Sequence, residues 1–230
     1  MKLYTGDLSP YSAKVRIQIY AMGISDDITF DLPIATFYQG KFKDISPIGR
    51  IPVLETDEGI IPESEVIAEY LDELYPEKSL MRDKTLKERA DIRLIARIAD
   101  TYLMNNIFMA LSQLDPNKRN EAVIDLLMGQ VERGMAALEK HINAGGFATG
   151  TTLSRADASL APALFMCENT VPRFGRTSPI DGTVKVKDYW RRIQTNEHCK
   201  RALDEMLRGL KARMDGSEQR LAKEAIAKAT

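Results

Sequence analysis

Ser9 and Ser12 are the hydroxyls whose setting in this chain could do chemistry. They lie in Leu8-Ser9-Pro10-Tyr11-Ser12-Ala13-Lys14-Val15-Arg16, after a short run, Lys2-Leu3-Tyr4-Thr5, and at the head of a longer one through Val15, Ile17, Ile19, Tyr20 and Met22. The first run reads as a strand and the second as an apolar-periodic helix, so Ser9 stands at a strand-to-helix junction. Serine at the N-cap with proline at the first helical position is a helix-start signal, because proline has no N–H to lose there and its φ is already helical. The same junction turns free backbone N–H groups and the positive end of the helix dipole toward whatever lies beside Ser9. An anion would sit well there. Taken alone, the pair is fully explained as a cap, and the rest of the chain decides whether it is more.

The elements that position this junction alternate. After the first helix stops near Gly23, Ile28-Thr29-Phe30-Asp31-Leu32 predicts a second strand closed by Pro33. Residues 34 to 50 read as irregular, with turn clusters at Gln39-Gly40-Lys41 and Ser46-Pro47-Ile48-Gly49-Arg50. Ile51 to Thr56, the turn at Asp57-Glu58-Gly59, and Ile60-Ile61 predict a hairpin; Pro52 must stand at a strand start or edge, where its bond can also be cis. Ser64 opens a third helix through Val66, Ile67, Tyr70, Leu71 and Leu74, ended by Pro76. The outcome is a small α/β domain with a mixed sheet. Beyond a polar linker only helices are expected, over about 86–114, 118–143, from a capping-box spacing at Ser154 to Asp157, 185–195 and 198–213; the tail from Ser217 is charged and alanine-rich, a solvated or frayed helix.

Composition narrows the function classes. The chain has 230 residues and a formal net charge of −1, which gives no reason to expect a nucleic acid or a membrane surface as partner. No apolar run follows Met1, and no stretch approaches a membrane span. Cys167 and Cys199 are too few for a disulfide framework, so a reducing cytoplasm is the expected compartment. His141 and His198 are far apart and near no cysteine pair, which argues against a zinc site.

Four features together resemble the soluble glutathione transferases: Ser9-Pro10-Tyr11 with Val15-Arg16, Ile51-Pro52-Val53-Leu54, Glu63-Ser64 at the start of the third helix, and Ser154 to Asp157. The resemblance covers nearly the whole chain. It implies an α/β thioredoxin-like N-terminal domain over 1–77, with a mixed four-stranded sheet and three helices, a linker over 78–85, and an all-α helical bundle domain over 86–230. It implies glutathione as co-substrate. Ile51, beside a cis Pro52, would pair its backbone with the cysteinyl part, Glu63 and Ser64 would grip the γ-glutamyl group, and Arg50 could take the glycyl carboxylate. Ser9 falls where the serine-type classes, tau and zeta most closely, put the residue facing the glutathione sulfur; Ser12, one turn on, is the rival hydroxyl. A serine there would donate a hydrogen bond to the thiolate and lower the thiol pKa from about 8.5.

The second substrate expected from the resemblance is a small apolar or aromatic electrophile, meeting Leu8, Pro10 and Tyr11 and side chains such as Tyr102, Met104, Asn105, Phe108 and Met109. The same residue types at helical spacing are also ordinary core. Conjugation in a detoxifying, cytoplasmic homodimer is the main reading. The alternatives are glutathione-dependent isomerisation, ether cleavage or dehalogenation on the same fold, or non-enzymatic binding of glutathione or apolar ligands. The zeta pattern would put Ser-Ser-Cys at the sulfur site, whereas Pro10-Tyr11 follow Ser9 here. Cysteine is absent from the first domain, which disfavours mixed-disulfide chemistry. Tyr4 lies near the place where tyrosine-type classes keep a phenol, but is read as packing because its strand phase differs.

Overall fold

The computed structural model describes residues 1–229. The chain forms two compact units: Met1–Arg82 together with the chain from Arg201 onward, and Asp83–Lys200. In the first unit, β1 (Lys2–Tyr4), β2 (Thr29–Asp31), β3 (Val53–Thr56) and β4 (Gly59–Pro62) form one sheet in the order β2-β1-β3-β4. β1 runs parallel to β2, with Leu3 opposite Phe30, and antiparallel to β3, with Leu3 opposite Leu54; β3 and β4 form the hairpin. The parallel pair needs a crossover, which α1 (Pro10–Met22) supplies. α1 is buried along nearly its whole length and stops at Gly23, whose left-handed φ of 63° lets its N–H reach the carbonyls of Ile19 and Tyr20. α3 (Ser64–Leu74) buries Ile67, Ala68, Leu71 and Asp72 and leaves Glu69 and Glu73 to solvent.

The stretch 34–50 departs from the irregular segment expected. It holds α2 (Ile34–Tyr38) and a 3₁₀ turn at Lys41–Asp44. The cause is aromatic. Phe37 and Phe42 pack edge-on at 5.5 Å between centroids, and Phe42 meets Tyr4 at 5.8 Å, closing a small cluster over Val53. Tyr4 is accordingly buried packing, with its hydroxyl on Glu55.

In the second unit α4 (Leu86–Ile98), started by a Thr85–Glu88 capping box, runs into a π-turn at Ala99–Met104 and then α5 (Asn105–Ala110). The continuous helix expected over 86–114 is therefore interrupted. The Asn106 amide donates to the carbonyls of Thr101 and Tyr102, and Gly134 lets the facing helix approach, since a Cβ there would lie 2.7 Å from Tyr102 Cβ. That facing helix is α6 (Glu121–His141), which starts three residues later than expected because Asn120 caps it. α7 (Arg155–Asn169) is the buried centre of the unit, and α8 (Lys185–Ile193) takes its cap from Glu139 of α6, which accepts from the N–H groups of Val184, Lys185 and Val186.

α9 (Glu197–Met214) begins with the second unit, but from Arg201 its chain groups with the first, whereas the sequence reading assigned all of 86–230 to one helical domain. α10 (Ser217–Ala229) is a formed helix that packs on α2. Glu218 holds it there, accepting from the Tyr38 hydroxyl and from Arg213 at 2.7 and 2.8 Å. No helix among the described residues is long and apolar enough to cross a membrane.

Candidate functional site

Ser9 is the N-cap of α1. Its φ of −74° and ψ of 113° are extended, and its Oγ accepts from the Ser12 N–H at 3.2 Å. The cap uses a lone pair and leaves the hydroxyl proton free to be donated elsewhere. Ser9 is half-buried, whereas Ser12 is fully buried with no hydrogen-bond partner for its Oγ. The two rival hydroxyls thus differ in access. Ahead of Ser9 the chain turns tightly, the Ser9 N–H donating to the Gly6 carbonyl at 3.1 Å.

This turn rests on a buried guanidinium. Arg16 Nη1 donates to Thr5 Oγ1 at 2.6 Å and to the Gly6 carbonyl at 2.9 Å, and Nη2 donates to the Asp7 carbonyl at 3.0 Å. Burying an arginine is costly unless its charge is met, and Glu205 of α9 meets it, with Oε2 2.7 Å from Arg16 Nε. Glu205 also accepts from the Tyr20 hydroxyl at 2.8 Å, and Arg201 lies 3.9 Å over the Tyr20 ring. Burial and the neighbouring carboxylate hold the Tyr20 phenol well above its ordinary pKa.

Two further candidates flank β3 and α3. The Ile51-Pro52 bond is cis, and Ile51 lies outside the strand, its Cδ1 only 3.0 Å from where a Cβ on Gly6 would stand. A side chain at Gly6 would press on the end of Ile51, so the loop that carries Ser9 lies closely against the loop that carries the cis proline. Glu63 has φ 71° and ψ 120°, a left-handed conformation that a residue with a Cβ adopts at a cost of about 1–3 kcal/mol. It turns the chain sharply from β4 into α3 and sets Ser64, 5% exposed, on the first turn with no side-chain cap from Glu63 on the N–H groups there. Nearby, Lys14 of α1 is buried and reaches Glu65 Oε2 at 2.5 Å, tying α1 to the start of α3. Arg50 is exposed on the loop before Ile51.

Of the residues assigned to an electrophile, Leu8 and Tyr11 are half-buried and Pro10 is buried in the first unit. In the second unit Tyr102 lies on the π-turn, half-buried, with Met104 fully buried at its end; Asn105 and Met109 are exposed on α5 and Phe108 is half-buried. The buried Met104 belongs to the core. Among the described residues no group of three or more His, Cys, Asp or Glu could hold a metal ion.

Residues 3–79 match the family model for the glutathione S-transferase N-terminal domain, and residues 121–192 match that for the glutathione S-transferase C-terminal domain. The chain belongs to the glutathione S-transferase family. Within reach of that family, a maleylacetoacetate isomerase of Pseudomonas aeruginosa is 30% identical over 184 residues, covering 76% of this chain and 83% of its own. Glutathione S-transferase 1 of Dianthus caryophyllus is 28% identical over 173 residues, covering 71% and 76%. A solved glutathione S-transferase of Methylobacterium radiotolerans, in complex with glutathione sulfonate, shares the fold with a TM-score of 0.75 at 15% identity, covering 88% of this chain and 93% of that one. The thioredoxin-like sheet and helical unit are therefore those of a glutathione S-transferase, a family of transferases.

The sequence pointed to Glu63 but not to its strained backbone, and it did not point to Glu205 or to the π-turn. Arg16 was in view as part of the first motif, and a buried arginine asks for an acidic partner. Nothing local says that the partner is 189 positions away.

Proposed function

We propose that the first unit binds glutathione and that Ser9 activates its thiol for transfer to a small apolar or aromatic electrophile. The observation that carries this reading is the state of the Ser9 hydroxyl: half-buried, its oxygen engaged by the Ser12 N–H, its proton available to a thiolate. Such a bond favours the charged form of the sulfur, as does the positive end of the helix dipole beside it. The thiol proton leaves to solvent and the thiolate attacks an electrophilic carbon. As the C–S bond forms, a halide or aryloxide departs with its bonding pair, or the π pair of an enal or isothiocyanate shifts onto oxygen or nitrogen and the adduct takes a proton from solvent. Ser9 stays neutral throughout.

The rest of the tripeptide has matching groups. The first-turn N–H groups of α3 and the Ser64 hydroxyl suit the γ-glutamyl carboxylate, Glu63 suits its ammonium, the Ile51 backbone beside cis Pro52 offers main-chain pairing, and Arg50 suits the glycyl carboxylate. The family supports a homodimer working in the cytoplasm. Titration calorimetry with glutathione, followed by a panel of aryl halides, enals, isothiocyanates and aryl ethers assayed for glutathione consumption, tests the proposal. Saturable binding and consumption with at least one electrophile is expected; absence of binding would overturn it.

A second reading, cis–trans isomerisation through a transient glutathione adduct, is favoured by the 30% identity with the maleylacetoacetate isomerase. It is separated from conjugation by whether glutathione is regenerated in a reaction with a cis-enedione.

A further inference from the structure

α9 lays one face against the turn that carries Ser9. A Cβ built on Gly209 would lie 2.7 Å from the Leu8 backbone nitrogen, 2.9 Å from Asp7 Cβ and 2.9 Å from Leu8 Cβ. The helix axis thus comes as near to residues 7 and 8 as a glycine permits. One residue earlier, Arg208 Nε reaches Asp7 Oδ2 at 2.7 Å. One turn earlier, Glu205 holds Arg16, which in turn holds Thr5, Gly6 and Asp7. Positions 201, 205, 208 and 209 share one helix face by their spacing, so these contacts form a single seat.

The Gly6 carbonyl links this seat to Ser9. It accepts both from Arg16 Nη1 and from the Ser9 N–H, so the peptide of Ser9 is two hydrogen bonds from the guanidinium and three groups from Glu205. Glycine in a helix interior is unfavourable relative to alanine, which leaves the close approach as its structural reason.

We propose that Gly209 and Glu205 are positioning residues for glutathione activation: α9 seats the Leu8–Ser9 segment through the glycine and clamps its other end through Arg16. The inference rests on the reading of Ser9 as the thiol-activating group. Neither residue touches the sulfur. Both fix where the Ser9 hydroxyl stands, and a misplacement of about 1 Å costs on the order of a hundredfold in well-oriented reactions.

The test is the pH profile of kcat, with the thiolate absorbance of bound glutathione, for wild type, Ser9→Ala, Gly209→Ala and Glu205→Gln. Gly209→Ala pushes a methyl into the Leu8 backbone. The expected result is a roughly tenfold loss of kcat at pH 6.5 that shrinks toward pH 8.5, with the glutathione KM within about twofold, because the gripping groups at Ile51, Glu63 and Ser64 are untouched. A role confined to helix packing would leave the profile where it is. Glu205→Gln keeps the backbone and decides the matter by sign, even where alanine at 209 prevents folding. Removing a negative charge near the site would make the thiol more acidic by charge alone, whereas release of Arg16 from the turn makes it less acidic. An acidic limb moved upward supports the proposal. A limb moved downward or unmoved in Glu205→Gln overturns it. Ser9→Ala separates the two readings: if it leaves the limb unmoved, the Ser9 reading falls and takes this one with it. If it moves the limb while both α9 variants do not, only the α9 inference falls.

Discussion

Replacing Asp157 with asparagine should cost stability, and the cost should depend on pH. Asp157 is fully buried on the first turn of α7. Its Oδ1 accepts from the Ala148 N–H at 2.7 Å and the Tyr189 hydroxyl at 3.1 Å, and Oδ2 accepts from the Ser154 N–H at 2.9 Å and the Ser154 hydroxyl at 3.0 Å. Burial outweighs these four donors and pushes the carboxyl up to about 6. The folded pKa is raised, so the group's stabilising contribution is complete below its unfolded value and is lost as pH rises through about 6. With an unfolded value near 3.8, wild type should gain about 1 kcal/mol from this group between pH 7 and pH 5. In Asp157→Asn the amide nitrogen faces two donors, leaving a buried N–H unsatisfied at a cost of about 1–3 kcal/mol. The deficit relative to wild type at pH 5 should exceed that at pH 7 by about 1 kcal/mol. Urea unfolding followed by the fluorescence of Trp190, the single tryptophan and a buried residue of the same unit, measures it. A deficit equal at both pH values, or larger at pH 7, would show that the donors outweigh burial and would refute the reasoning.

Other outcomes follow from the same contacts. Truncation after Asp215 removes Glu218 and with it the partners of Tyr38 and Arg213; proteolysis within 34–50 should accelerate while Trp190 fluorescence is unchanged, and equal cleavage rates would count against α10 as the support of α2. Ser64→Ala should raise the glutathione KM roughly tenfold with kcat within twofold, since a ground-state contact to the γ-glutamyl end is made equally in the transition state; steady-state kinetics decide this. Cys167 and Cys199 are both buried, and burial pushes the Cys167 thiol up to about 12, so a thiol reagent should find neither in the native protein and both after denaturation.

What could be read from the sequence was what is local. Ser9-Pro10 sets the start of α1, Gly23 its stop, and Ser154 with Asp157 the start of α7, each within one helical turn and each by backbone groups that must be satisfied. Pro52 announced its place at a strand start, just before β3, because it lacks a donor. Arg50, Glu63 and Ser64 were legible only in combination, through their order and spacing along the chain. The α9 seat was not legible: amphipathic spacing shows that a helix buries a face, and says nothing of which surface receives it. The same holds for α10 on α2, where a charged, alanine-rich stretch gave no sign of the Glu218 anchor. At the π-turn, 3.6-residue periodicity averages over a single inserted residue, so the break passed unseen. The backbone of Glu63 was hidden because a glutamate gives no warning of a positive φ.

The central claim is that the Ser9 hydroxyl stabilises the thiolate of bound glutathione. Ultraviolet titration of the thiolate in the binary complex, wild type against Ser9→Ala, tests it directly. A hydrogen bond to a charged acceptor is worth about 1.5–3 kcal/mol, so the bound thiol pKa should rise by about 1 to 2 in Ser9→Ala, with glutathione still bound. An unchanged pKa in that variant would contradict the claim and take the activation away from the Ser9 hydroxyl.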